Sequence, residues 1–124
     1  MGYIDVLTNL VRKSIVKVLK VNLETDIYEV EYLSEAEPTI ASNYLKDWID
    51  DFVINKYVHS DFADLLSHTI NSEYLKKVLS YKPYVHLKIN RKYRDGVNYR
   101  SNIVTVLPID KENVYIIVYD MNGI

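Results

Sequence analysis

Residues 84–120 read YVHLKINRKYRDGVNYRSNIVTVLPIDKENVYIIVYD, and the fold is decided there. In the first run Val85, Leu87 and Ile89 alternate with His86, Lys88 and Asn90, the two-residue period of a half-buried strand. Arg94-Asp95-Gly96 breaks the pattern, and Asp-Gly is the pair that supplies positive φ to tight hairpin turns. Tyr99 to Leu107 is rich in β-branched residues and stops at Pro108, which cannot donate to a ladder. Asp110-Lys111-Glu112-Asn113 turns the chain again into Val114 to Tyr119. Connections this short join antiparallel neighbours, so the stretch predicts a three-stranded meander. Its last two strands are apolar on both faces, with Ile103 and Leu107 against Val104 and Val106, and Val114, Ile116 and Val118 against Tyr115, Ile117 and Tyr119. A sheet wet on one side has no use for that pattern, so the second face must be covered, by an N-terminal helix, a second subunit, or both.

Upstream, the period changes. Ile40, Tyr44, Leu45, Trp48, Ile49, Phe52 and Val53 form an apolar stripe at helical spacing, with Ser42, Asn43, Lys46, Asp47, Asp50 and Asp51 on the other side. His59-Ser60-Asp61 offers capping groups to a short helix carrying Phe62, Leu65 and Leu66, and Asn71-Ser72 opens another with Leu75, Val78 and Leu79 inward. Before these helices, Ser14 to Asn22 and Ile27 to Tyr32 read as strands, the latter with Tyr28, Val30 and Tyr32 on one face, and Ser34 to Pro38 reads as a polar loop. Tyr3, Ile4, Leu7 and Val11 predict an N-terminal helix over 1–13, a dimerisation or capping element, ahead of a single domain over 14–124. The predicted class is α+β, an antiparallel sheet with short helices on one face.

Composition narrows the functions. At 124 residues with 48% hydrophobic and 26% charged residues, the chain makes one soluble domain with a sizeable core. A net charge of -2 gives no field that favours nucleic acid or an anionic membrane. No apolar run approaches a membrane span and no signal peptide is visible, so the expected location is cytoplasmic. The absence of cysteine removes thiolate nucleophiles, cysteine-zinc sites and a cysteinyl-flavin adduct. Met1-Gly2 suits an excised domain as well as a native start. Twelve tyrosines against two phenylalanines supply amphipathic aromatics suited to pockets and interfaces.

Three places carry a family resemblance. Tyr57-Val58-His59-Ser60-Asp61 opens a helix, Ser72-Glu73-Tyr74-Leu75 with Val78-Leu79 makes the next, and Gly96, Tyr99-Arg100 and the strands to Pro108 and Asp120 close the chain. In that order they resemble a PAS-like sensor domain of the kind found N-terminal to bacterial diguanylate cyclase or histidine kinase domains. The family usually has Pro and Asp where this chain has Ser60 and Phe62. It commonly has Trp at Ser101, so a pocket shaped by that Trp is not carried over. The resemblance implies a five-stranded sheet in the order 2-1-5-4-3, a role in sensing or dimerisation, and an output domain in the parent protein. It names no ligand.

The chain's titratable groups have plain structural roles open to them. His59 reads as a helix cap, His68 as a surface residue near a helix end and His86 as outward-facing; none has metal spacing, which argues against haem or zinc. Asp47, Asp50 and Asp51 read as a solvated helix face. No catalytic elbow, triad or phosphate loop is present. The ligand-binding candidates are Tyr44, Trp48 and Phe52 on the helix face over the sheet, with Arg91 and Arg100. Arg91 continues the parity of Leu87 and Ile89, which sends its guanidinium to the helix side, either to snorkel out to water or to anchor an anion. The expectation is therefore a non-catalytic sensory and dimerisation module, a homodimer with a small-molecule ligand. The rivals are a small-molecule enzyme on a cone-shaped fold of the nuclear-transport-factor type, which needs an Asp/His or Tyr/Asp pair deep in a pocket, and a ligand-free scaffold.

Overall fold

The computed structural model describes residues 14–123, so the helix expected over 1–13 lies outside the described residues. Five strands, β1 (Ile15–Asn22), β2 (Tyr28–Leu33), β3 (Val85–Arg91), β4 (Arg100–Pro108) and β5 (Asn113–Asp120), form one antiparallel sheet. Their order is β2-β1-β5-β4-β3, as the resemblance implied. Between β2 and β3 come α1 (Leu45–Ile54), α2 (Ser60–Thr69) and α3 (Ser72–Val78). Trp48, Ile49 and Phe52 of α1, Leu66 of α2 and Leu75 and Val78 of α3 are buried in one cluster with Leu19, Val21, Ile89, Val104, Val106 and Ile116 of the sheet.

The helix boundaries follow from long-range capping. The apolar stripe starts at Ile40, but α1 begins only at Leu45, and Tyr44 stays extended in a bridge to Ile27. The first donors of α1 are taken by Asp26, whose carbonyl accepts from Leu45 N at 2.8 Å and whose carboxylate accepts from Lys46 N at 3.1 Å. The other oxygen of Asp26 accepts from the Ser72 hydroxyl at 2.6 Å, which ties the start of α3 to the same turn. His59 caps α2, its Nδ1 accepting from Asp61 N at 3.1 Å, and Asn71 caps α3 through Tyr74 N at 3.2 Å.

Two expectations are corrected. The β3–β4 connection is not a tight turn at Asp95-Gly96. It is a loop over 92–99 in which Tyr93 is buried and Arg94 N donates to Ala36 O, and Gly96 has no positive φ. Nor do Tyr28, Val30 and Tyr32 share a face. A β-bulge sets Val30 opposite Leu19 but Tyr32 opposite Val18, its neighbour, so Val30 and Tyr32 go to opposite sides. A second bulge in β1 sets Ile15 opposite Tyr119 and Lys17 opposite Val118, with Val16 as the extra residue. The outer face keeps its apolar side chains part-exposed, among them Ile103, Leu107, Tyr115, Ile117 and Tyr119.

Candidate functional site

The helix-side face of the sheet changes character along the strands. At one end it is aliphatic. At the other, four strands each place a polar residue on it: Lys17 from β1, Asp120 from β5, Asn102 from β4 and Arg91 from β3, all buried. Each shares the parity of its strand's buried aliphatic residues, Leu19 and Val21, Val118, Val104, and Ile89 respectively.

Arg91 is fully buried and does not reach water. Its two terminal nitrogens donate to both carboxylate oxygens of Glu37, one at 2.9 Å and the other closer still, and one of them also donates to Lys92 O at 2.9 Å. Such forked pairing is the strongest ion pair that side chains make. Glu37 enters from the loop after β2, pinned where Ser34 N donates to Val16 O and Glu37 N to Ser34 O. Lys17 Nζ lies 3.4 Å from a Glu37 oxygen already bonded to Arg91, and 4.3 Å above the Trp48 ring. It also stands 5.0 Å over Phe52, whose ring faces the Arg91 guanidinium at 5.0 Å. Burial, only partly opposed by Glu37, lowers the Lys17 pKa to about 8.

A second cluster adjoins the first through Tyr93. Its ring lies 4.4 Å from the Arg91 guanidinium and 5.9 Å from that of Arg100. Its hydroxyl donates to Asp120 Oδ2 at 2.7 Å, and Asn102 Nδ2 donates to that hydroxyl at 3.2 Å. Arg100 Nε donates to Asp120 Oδ2 at 2.7 Å and Asn122 N to Oδ1 at 2.8 Å. Burial alone would raise the Asp120 carboxyl, but the Arg100 and Tyr93 hydrogen bonds outweigh it and hold it below the usual range. Burial and the bond to Asp120 push the Tyr93 phenol up.

Of the residues singled out from sequence, Trp48 and Phe52 pack together, with ring centroids 5.2 Å apart, against Lys17 and Arg91. Tyr44 stands apart at the exposed N-cap of α1. Arg100 pairs with Arg91 across the strands, yet each guanidinium is closed by its own carboxylate, Asp120 and Glu37. Lys17, Glu37, Tyr93, Asn102 and Asp120 escaped the sequence reading. Strand parity could have found Lys17, Asn102 and Asp120. Nothing in the acidic loop SEAEP marks Glu37 as buried.

A cavity of about 90 Å³ opens beside this site, walled by Lys17 and Trp48 and by Leu19, Val30, Leu33 and Ile40. Larger grooves lie elsewhere, one of about 340 Å³ around Asp26 and Ser72 and one of about 520 Å³ between α3 and β3. Among the described residues no cluster of His, Asp and Glu could hold a metal, and no helix is long and apolar enough to cross a membrane. No family model, curated protein or solved structure matches the chain.

Proposed function

We propose that this chain is a non-catalytic sensory and dimerisation module with a PAS-like fold, which regulates an output domain of a cytoplasmic bacterial signalling protein. One observation carries the reading: a buried polar line runs from Lys17 under α1, through Glu37, Arg91 and Tyr93, to Asp120 at the end of β5. Any event that repositions Lys17 or Glu37 alters what holds Arg91, and Arg91 packs on the ring whose hydroxyl holds Asp120. Buried polar groups have few alternative arrangements, so such a line favours discrete states over gradual deformation. The sheet order and the helices between β2 and β3 agree with the resemblance.

A Tyr/Asp pair of the kind an enzyme would need is present in Tyr93 and Asp120, but Asp120 is already spent on Arg100, Tyr93 and Asn122. That arrangement suits a lock on the strand end better than a base. The test is hydrogen exchange on the free chain, comparing wild type with Glu37→Gln and Lys17→Met. Altered protection should reach residues 119–123 as well as the loop and α1. A change confined to the loop and α1 in both variants would remove the reading.

A further inference from the structure

We infer that the cavity beside Lys17 and Trp48 is a binding site for a short-chain monocarboxylate. The inference names a ligand for the module proposed above and rests on that reading for its consequence, though not for the binding itself.

The first observation is an imbalance of charge and donors. Lys17 and Arg91 bring two positive charges to the single buried carboxylate of Glu37. Arg91 occupies both of its oxygens, so the ammonium of Lys17 shares an acceptor already taken. Asp51 also acts on Lys17 electrostatically, but no ion pair joins them. The Trp48 indole N–H and the Arg91 Nε are buried without any hydrogen-bond partner. Buried donors of this kind are rare because each carries its full desolvation cost. The site is short of acceptors and carries one positive charge too many.

The second observation is the cavity itself. Lys17 and Trp48 both line it, and both are almost wholly buried, at 3% exposure each. The rest of the wall is mostly apolar, with Leu19, Val30, Leu33 and Ile40. Arg91 does not line the cavity, but Lys17 and Trp48 do, and a carboxylate presents an acceptor to these two donors together with one negative charge, while its alkyl part meets the aliphatic wall. The space of about 90 Å³ is the smallest of the cavities and grooves described above and suits a small ligand, of acetate to butyrate size. The lining offers no second cation beside Lys17, so the second charge of a dicarboxylate or phosphate would find no partner in the cavity.

The probes are sodium acetate, propionate and butyrate, titrated at constant ionic strength into the free chain, with chloride and succinate as controls. Trp48, the one tryptophan, reports by its emission, and Tm reports independently. A saturable change in both signals is expected with at least one monocarboxylate and with neither control. Lys17→Met should weaken that response at least about tenfold, and Val30→Phe, which fills the cavity without touching a charge, should abolish it. No saturable response to any of the three acids overturns the inference. So does an equal response to chloride, or an unchanged response in both variants. Binding that leaves exchange at 119–123 unaltered upholds the site and counts against the sensory reading alone.

Discussion

At the scale of single residues, Arg91 shows how far parity reaches. Its place after Val85, Leu87 and Ile89 put the guanidinium on the helix side, and it is there. Its partner Glu37 lies 54 residues away in an acidic loop with no periodic signal, so neither snorkelling nor a free anchor describes it. Arg91→Ala, harmless for an exposed anchor, should therefore cost about 3–5 kcal/mol, because it empties a fully buried site and takes the forked donor from Glu37, leaving that carboxylate with Lys17 alone; urea unfolding measures this. Lys17→Met is the opposite case. It leaves Glu37 and Arg91 as a balanced pair and should change stability by less than about 1 kcal/mol at pH 7, or raise it. The two variants also separate by pH. The folded pKa of Lys17 is lowered from 10.5 to about 8, so below about pH 8 both folded and unfolded states hold the proton. Between about 8 and 10.5 the unfolded chain holds more of it, and stability rises with pH. Tyr93, raised above its usual 10.0, acts in the other direction: above that pH the unfolded chain loses a proton that the fold keeps, and stability falls. Wild type should gain on Lys17→Met between pH 7.5 and about 9.5. A constant gap would mean that Lys17 is not desolvated.

At the scale of elements, the existence of each described strand and helix was legible, because periods of two and of 3.6 residues mark buried faces directly. Their ends were not. The stripe from Ile40 predicts a longer α1, but its N-terminal donors are met by Asp26 from another part of the chain, and no local pattern encodes that. Asp26 itself holds a φ of 65°, which Asp tolerates better than most residues. Asp26→Ala should cost about 1–2 kcal/mol, since it removes a cap and the Ser72 bond together, and Asp26→Gly should recover the backbone part. Equal melting of wild type and Asp26→Ala would deny the joint cap. The β3–β4 connection was misread for a related reason. Asp95-Gly96 is a turn signal, but Tyr93 is drawn into the core towards Asp120 and lengthens the loop.

At the scale of the whole molecule, the outer face of the sheet is apolar and part-exposed among the described residues. Tyr115 and Tyr119 of β5 and Leu107 of β4 remain 36–39% exposed. Under the proposed function this face joins two copies, and sedimentation should find a homodimer burying about 800 Å² per subunit. A monomer at high micromolar concentration would leave the face to some other cover. The candidate site was half legible for a similar reason: a sequence shows which side chains face inward, but not which loop arrives to meet them. The two bulges carry a consequence for chain length. Val16 and Glu31 are the extra residues at the irregular steps of β1 and β2, but Val16 is fully buried and its carbonyl holds Ser34 N, whereas Glu31 is exposed. Deleting the exposed Glu31 would close the irregularity instead of shifting the register, whereas a deletion elsewhere in β2 would turn every following side chain to the wrong face. A chain one residue shorter within β2 can thus keep the same sheet.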